Sequence, residues 1–292
     1  MKKVLFLLIV VLFLVGCTTT PTAAPTEVPE EIATEAPVPE ETEAVEAPAG
    51  MVYIPAGEFE MGCDPEQNGG FSCMADSLPL HTVFLDAYFI DQFEVTNVQY
   101  AECVAADGCD MPTRSESETR ESYFDNPDYA DFPVVFVTWE DADAYCQWAG
   151  KRLPTEAEWE KAARGPAVQA FPWEGGEVSC NVANSFDNLG GSTCVGDTSA
   201  VGSYPDGNSV YGVADMAGNV WEWVSDWYSE TYYGESPSEN PAGPDGSSNK
   251  VLRGGGWGST WPQILTASRT FDPNFNSSND VGFRCVLPVG GN

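Results

Sequence analysis

The sequence predicts a single α+β domain with little regular secondary structure, and three features of the chain support this. Three segments between residues 96 and 165 carry the start and stop signals of short helices. From residue 165 onward, clusters of Gly, Asn, Asp, Pro and Ser divide the chain into short strands and long loops. Within that part, residues 212–227 hold three of the nine tryptophans and alternate like a buried strand. We expect tryptophan packing, disulfides and bound cations to compensate for the long loops.

Each of the three predicted helices begins at a threonine that can cap its first turn. Thr96 and Thr155 have Gln or Glu three residues later, which is the capping-box pattern, and Thr138 opens the middle helix. The first helix should run to about residue 106, the second should stop at Gly150, and the third should end at Gly165.

Residues 1–17 have the features of an export signal with a lipid attachment site. Two lysines precede the apolar run 4–15, which is too short to span a bilayer. The residues Leu14-Val-Gly-Cys17 look like a bacterial lipobox, which implies that Cys17 is lipidated. An ordinary signal peptide cut nearby is the alternative. We therefore expect an extracytoplasmic, membrane-anchored lipoprotein, at the cell surface or in the periplasm.

Residues 18–50 read as a disordered acidic linker, and residues 51–292 as the domain. The linker carries eight Glu and six Pro without a single Lys or Arg, so it cannot bury a core. The whole chain has a net charge of −33, and residues 51–292 hold 10 basic against 37 acidic residues. This charge argues against nucleic acid as a partner and against direct adsorption to anionic lipid. It favours cations, or simply solubility.

Eight cysteines remain after Cys17, and an even number in an exported protein indicates disulfides. Many pairings are possible, but the short intervals along the chain suggest a particular set: Cys63–Cys73, Cys103–Cys109, Cys180–Cys194 and Cys146–Cys285. A zinc site is disfavoured because no Cys-x-x-Cys pair occurs and His81 is the only histidine.

The tryptophan-rich stretch places a carboxylate where burial is expected. Glu222 lies between Trp221 and Trp223 and shares its strand face with two valines. A buried carboxylate needs a hydrogen-bond donor, a cation or a metal. Asp215 precedes it across a Gly/Asn turn, and two carboxylates with free carbonyls suit a hard cation. A well-packed strand with a capped turn is the alternative interpretation.

Six motifs in order resemble the formylglycine-generating enzyme family, the sulfatase-modifying factors. The matching segments are 51–62, 93–97, 152–160, 212–223, 253–257 and 282–285. The resemblance implies the family's variant of the C-type lectin fold. It is less specific for activity, because one fold hosts many functions.

The enzymes of this family use a pair of cysteines that bind copper and oxidise a substrate cysteine to formylglycine. Ser259 and Ile264 stand at those two positions here, and neither side chain can supply the soft thiolate that Cu(I) prefers. No catalytic residue is therefore predicted, and copper is not expected. A related branch, the iron-dependent sulfoxide synthases, uses a histidine cluster, which a single histidine excludes. We predict a non-catalytic binding or scaffold module; the alternative is an oxidase acting on cysteines of sulfatases or of a related protein.

The resemblance also implies two structural calcium sites. The first would use the side chains of Asp215 and Glu222 with the carbonyls of Gly218 and Val220. The second would use the Asn184 side chain and the Ser185 carbonyl, with Asp197 as the nearest candidate for a later ligand.

The C-terminal segment interleaves aromatic and polar side chains, which is good material for a recognition surface. Non-enzymatic members of the family bind ligands through this segment, and an unknown protein, peptide or glycan is the implied partner. The predicted ligand-binding residues are Trp257, Ser259, Trp261, Gln263, Arg269, Phe271, Asn274 and Asn276.

Overall fold

The computed structural model describes residues 45–290. The predicted signal, the lipidation site at Cys17 and most of the predicted linker lie outside this range. No helix between residues 45 and 290 is both long enough and apolar enough to cross a membrane.

The described residues form three α-helices and eleven short strands, several linked by single turns of 3₁₀ helix. The helices are α1 (Asn97–Ala105), α2 (Trp139–Trp148) and α3 (Glu156–Arg164). The strands are β1 (Met51–Ile54), β2 (Gly57–Met61), β3 (His81–Leu85), β4 (Tyr88–Asp91), β5 (Phe186–Asp187), β6 (Ser192–Thr193), β7 (Trp221–Trp227), β8 (Lys250–Arg253), β9 (Arg269–Asp272), β10 (Val281–Phe283) and β11 (Val286–Pro288).

The three helices begin and end where the capping residues place them. Thr96, Thr138 and Thr155 each accept a hydrogen bond from the backbone N–H three residues on, and each start is a complete capping box. The last helix stops at Gly165, whose φ of +76° favours a residue without a Cβ. Local signals therefore account for the starts of the three α-helices.

The larger of two principal sheets has the strand order β10-β7-β8-β9. Strand β10 runs parallel to β7, and the other two pairings are antiparallel. A second sheet, of order β1-β4-β11, joins the first and last strands through β4. Two antiparallel two-stranded sheets, β2-β3 and β5-β6, complete the sheet structure.

Strand β7 lies between two hydrophobic clusters, because successive side chains of a strand point to opposite faces. Trp221 and Trp223 pack into a cluster with α1 and α2. Val224 packs into the other cluster, which includes Trp159 of α3 and residues from β1 to β4. The tryptophan-rich stretch is thus a buried central strand, as predicted.

All four predicted disulfides are present: Cys63–Cys73, Cys103–Cys109, Cys146–Cys285 and Cys180–Cys194. Three of them close loops of 6 to 14 residues. The bridge between Cys146 and Cys285 spans 139 residues and fastens α2 to the connection between β10 and β11.

Candidate functional site

The two positions that hold copper-binding cysteines in the family's enzymes are structural positions here. Ser259 is buried, and its Oγ accepts a hydrogen bond from the Gly256 N–H at 3.0 Å. Ile264 is fully buried in an apolar cluster with Phe171 and Leu265. Within residues 45–290 every cysteine is in a disulfide, so this part of the chain offers no thiolate.

The histidine and the acidic side chains do not form a metal centre of their own. The Nδ1 of His81 lies 2.9 Å from the Pro79 carbonyl oxygen, and the ring packs on Tyr233 with centroids 5.0 Å apart. In the part of the chain that the structure describes, no three His, Cys, Asp or Glu side chains are grouped to hold a metal ion.

The buried carboxylate of Glu222 has both a cation and a donor as partners. Arg284 donates from Nε to Oε2 and from Nη2 to Oε1, each at 2.7 Å. The indole N–H of Trp159 donates to Oε2 at 2.9 Å. A two-point guanidinium contact is the strongest form of side-chain ion pair. The arginine therefore meets the electrostatic need that the sequence pattern shows.

Two further carboxyl groups lie beside this ion pair. Burial raises the pKa of Glu94 well above its usual value, and the charges of Asp215 and Glu222 raise it further. Burial likewise raises the pKa of Asp215, although the Gly202 N–H donates to its Oδ2 at 2.6 Å. Arg284 thus pairs with Glu222, while the raised pKa values favour the uncharged forms of Glu94 and Asp215.

The backbone conformation of the turn at the first predicted calcium site restricts which residues can occur there. Asp215 and Asn219 adopt left-handed conformations, with φ of 56° and 60°. A Cβ at Gly218 would lie 2.4 Å from the carbonyl oxygen of Asn184, which explains the glycine. Both the Asp215 side chain and the Gly218 and Val220 carbonyls belong to this turn, and calcium favours such mixed oxygen sets. Both oxygens of Glu222, the second carboxylate expected at this site, are already bonded to Arg284.

At the second predicted calcium site, the buried Oδ1 of Asn184 has no hydrogen-bond partner among the described residues, whereas Asp197 and Ser185 do. The Oδ2 of Asp197 accepts hydrogen bonds from Ser117 and Thr119, and Oδ1 contacts Arg120 at 3.0 Å. The Ser185 carbonyl accepts the Cys194 N–H at 2.8 Å. The charged ligand expected for this site therefore already has a charged partner.

The predicted ligand-binding residues divide between the surface and the interior. Arg269 and Ser259 are buried, which corrects their placement on a recognition surface. Arg269 makes a two-point ion pair with Glu156, at 2.9 and 2.6 Å. Phe271 is 45% exposed and stacks on Tyr228, with ring centroids 4.1 Å apart. The remaining predicted residues are exposed or half-buried: Trp257, Trp261, Gln263, Asn274 and Asn276.

Sequence reasoning missed the arginines that hold the buried carboxylates. Arg284 belongs to a segment recognised as a family motif, but nothing in the motif shows that it meets Glu222, 62 residues away. Arg120 lies in a polar loop without a local signal.

Phe275 is the most exposed aromatic of the C-terminal segment, at 72%.

The fold and these site positions define a protein of the formylglycine-generating-enzyme type, with that family's variant of the C-type lectin fold. Residues 35–289 match the family described as "Sulfatase-modifying factor enzyme 1-like domain". The chain belongs to this family. The match begins inside the segment that we predicted to be linker.

Among characterised relatives, the formylglycine-generating enzyme of Streptomyces coelicolor is 36% identical, over 81% of this chain and 88% of its own length. The serine/threonine-protein kinase Pkn1 of Chlamydia trachomatis is 37% identical over 82% of this chain, which spans only 38% of that kinase. The solved structure of PvdO from Pseudomonas aeruginosa has a TM-score of 0.66 and 30% identity, covering 81% of this chain and 93% of PvdO. Proteins with different names thus share this domain.

Proposed function

We propose that this chain is an exported, membrane-anchored lipoprotein whose sulfatase-modifying-factor domain binds a ligand or acts as a scaffold without catalysing cysteine oxidation. The observation that supports it is the pair of positions Ser259 and Ile264. One is a hydrogen-bonded serine and the other a fully buried isoleucine, and neither can ligate copper. A catalytic pair cannot come from elsewhere in residues 45–290, because every cysteine there is in a disulfide.

A formylglycine-generating activity is the second candidate, supported by the 36% identity to the Streptomyces enzyme. The test is incubation of the purified protein with copper and a Cys-x-Pro-x-Arg peptide. We expect no loss of the peptide's thiol beyond that of the copper control. Aldehyde formation that depends on the protein would contradict the non-catalytic proposal. The control is a variant with Ser259→Cys and Ile264→Cys, which has thiols at the two copper-binding positions of the family. It shows whether the assay with this peptide responds when copper ligands are present.

The ligand surface that we propose centres on the exposed aromatics that follow β9. Phe271 lies on Tyr228, and Phe275 extends into solvent a few residues on. The Asn276 side chain donates to Asp272 Oδ1 at 2.8 Å, which fixes part of this loop. Aromatic side chains lose little entropy when they bind, and amides add directional hydrogen bonds. A protein, peptide or glycan ligand suits this chemistry, whereas nucleic acid does not suit the net charge of −33.

Peptide and glycan arrays probed with the full chain test this surface. We expect binding that falls at least tenfold for Phe275→Ala and for Phe271→Ala. Leu189→Ala is the matched control, because Leu189 is 85% exposed but lies on the hairpin between β5 and β6. Equal loss for all three variants would mean that the array detects general surface hydrophobicity.

The proposal includes a structural calcium ion at the turn that precedes β7. Asp215 and Glu222 would supply carboxylate oxygens, and Gly218 and Val220 would supply carbonyls. The ion would lie beside Glu222, whose carboxylate already pairs with Arg284. Chelation should then lower the melting temperature, and Glu222→Gln should reduce that response. Identical calorimetric transitions with calcium and with excess chelator would remove the ion from the proposal.

An extracytoplasmic location is supported by the four disulfides, which form and persist in oxidising compartments. Attachment to a membrane through Cys17 rests on the sequence pattern.

A further inference from the structure

Strand β9 ends the larger sheet and has a free edge. It pairs with β8, and among the residues that the structure describes no backbone group of residues 269–272 bonds to the backbone outside that pairing. The opposite end of the sheet is different, because the Phe283 carbonyl of β10 accepts the Val95 N–H at 2.9 Å. Alternate N–H and C=O groups of an edge strand point away from its sheet, so β9 offers them to a further strand.

The side chain of Arg269 holds this edge in place. Besides its ion pair with Glu156, the guanidinium donates from Nη1 to the carbonyl oxygen of Asp76 at 2.8 Å and to that of Ser229 at 3.2 Å. A strand that is already fixed in its extended conformation loses little entropy when another strand pairs with it. The buried arginine therefore supports the edge of the surface without contacting a ligand.

The two faces of β9 differ in chemistry. Arg269 and Phe271 project to one face, because the side chains of a strand alternate. Phe271 stacks on Tyr228, and the Arg269 guanidinium lies 5.1 Å from the centroid of the same ring. The other face carries Thr270 and Asp272, both half-buried. Cross-strand neighbours on one face are in contact, so an added strand would meet an aromatic side chain on one face and a carboxylate on the other.

The surroundings of β9 are acidic. The Tyr228 hydroxyl donates to Asp76 Oδ2 at 2.9 Å, and Glu230 is exposed two residues further along. Burial raises the pKa of Tyr228, and the hydrogen bond to Asp76 and the charge of Glu230 raise it further. Basic side chains offer little balance at the surface, since six of the ten in the domain are buried: Lys161, Arg164, Lys250, Arg253, Arg269 and Arg284.

We propose that the partner is an extended basic segment of another protein, which adds a strand to the free edge of β9. Backbone hydrogen bonds to β9 would hold the segment, an apolar side chain would lie against Phe271, and basic side chains would meet Asp272 and the acidic surroundings. This inference rests on the proposed binding function of the same surface, and it narrows the ligand from a protein, peptide or glycan to one class.

The test measures binding of the full chain to an acetylated, amidated peptide of alternating lysine and valine, with a glutamate–valine peptide as the matched control for charge. Two further lysine–valine peptides are N-methylated at every lysine or at every valine, because only alternate N–H groups of an added strand face β9. We expect one N-methylated peptide to bind about tenfold more weakly and the other within about twofold, since about two lost hydrogen bonds correspond to that ratio. Equal effects of the two N-methylated peptides, or equal binding of the lysine and glutamate forms, would overturn the proposal.

Hydrogen exchange locates the bound peptide. Exchange should slow in residues 269–272 and stay unchanged in β1, the outer strand of the second sheet, which is the internal control. Equal slowing in both strands would indicate general adsorption and overturn the proposal. Slowing in residues 269–272 when the chain is concentrated without peptide would do the same, because it would identify a second copy of this chain as the occupant.

The proposed function can survive the failure of this inference. If the lysine–valine peptide does not bind, while the arrays still report binding that depends on Phe271 and Phe275, the surface binds a ligand and strand addition is wrong. If the arrays report no such binding either, the binding function itself is wrong.

Discussion

Glu222→Gln should be among the most destabilising single substitutions in this domain, although it changes the side chain by only one atom. The amide removes the negative charge opposite Arg284 and places an N–H₂ group where two donors now point. Arg284 is fully buried, so no water can replace the lost partner. Unlike truncation in the core, this substitution leaves the packing volume unchanged, and the effect therefore isolates the charge.

The magnitude follows from the burial of both partners. Breaking a buried pair by removing one charge costs about 3–5 kcal/mol, because the other charge is left uncompensated. For a domain of this size, each kcal/mol corresponds to about 2–4 °C in melting temperature. The expected shift is therefore roughly 6–20 °C. The combined variant Glu222→Gln with Arg284→Met should lose less stability than the sum of the two single variants, because each single variant leaves one buried charge unpaired and the combined variant leaves none of this pair.

The assay is circular dichroism melting at neutral pH in excess chelator, which removes any contribution of calcium. Arg114→Gln is the reference, because its ion pair with Glu116 is largely exposed and should contribute less than about 1 kcal/mol. If Glu222→Gln melts within 2 °C of Arg114→Gln, the description of Glu222 and Arg284 as a mutually dependent buried pair is wrong.

Three other predictions use the same kind of measurement or a simple fractionation. Cys146→Ala opens the bridge that spans 139 residues and should cost about 5 kcal/mol, against about 2 kcal/mol for Cys103→Ala; equal midpoints in denaturant would argue against a loop-entropy effect. Burial raises the pKa of Asp226 to about 7, so its contribution to stability should fall as the pH rises from about 4 to 7. The melting temperature of Asp226→Asn relative to wild type should rise over that window, and a constant difference would contradict it. Cys17→Ser should move the protein from the membrane fraction to the soluble fraction.

Short-range features of this fold could be predicted from sequence because their causes are local. The Thr-x-x-Gln and Thr-x-x-Glu patterns define helix starts within one turn of chain. Three of the disulfides join the nearest available cysteines, and the fourth follows from the two that remain. The central strand was recognisable because alternation with Trp221 and Trp223 is a property of the strand itself.

The charge pairs of the interior could not be predicted, because topology alone brings their members together. Glu222 and Arg284 meet since β10 runs parallel to β7, with Gly282 in register with Glu222. Nothing near either residue encodes that pairing. The same reason explains Arg269: its sequence context suggested a recognition loop, but the pairing of β9 with β8 places it against Glu156 of α3.

The sheet of order β1-β4-β11 brings the two ends of the folded domain together. Both outer strands are antiparallel to β4, with Met51 opposite Asp91 and Pro288 opposite Tyr88. Two strand spacings across the sheet and three residues along it separate these ends by roughly 14 Å. A peptide of about five residues can bridge that gap. The domain is therefore suited to insertion into a surface loop of another protein, and a circular permutant that joins the two ends and opens elsewhere should retain the same core.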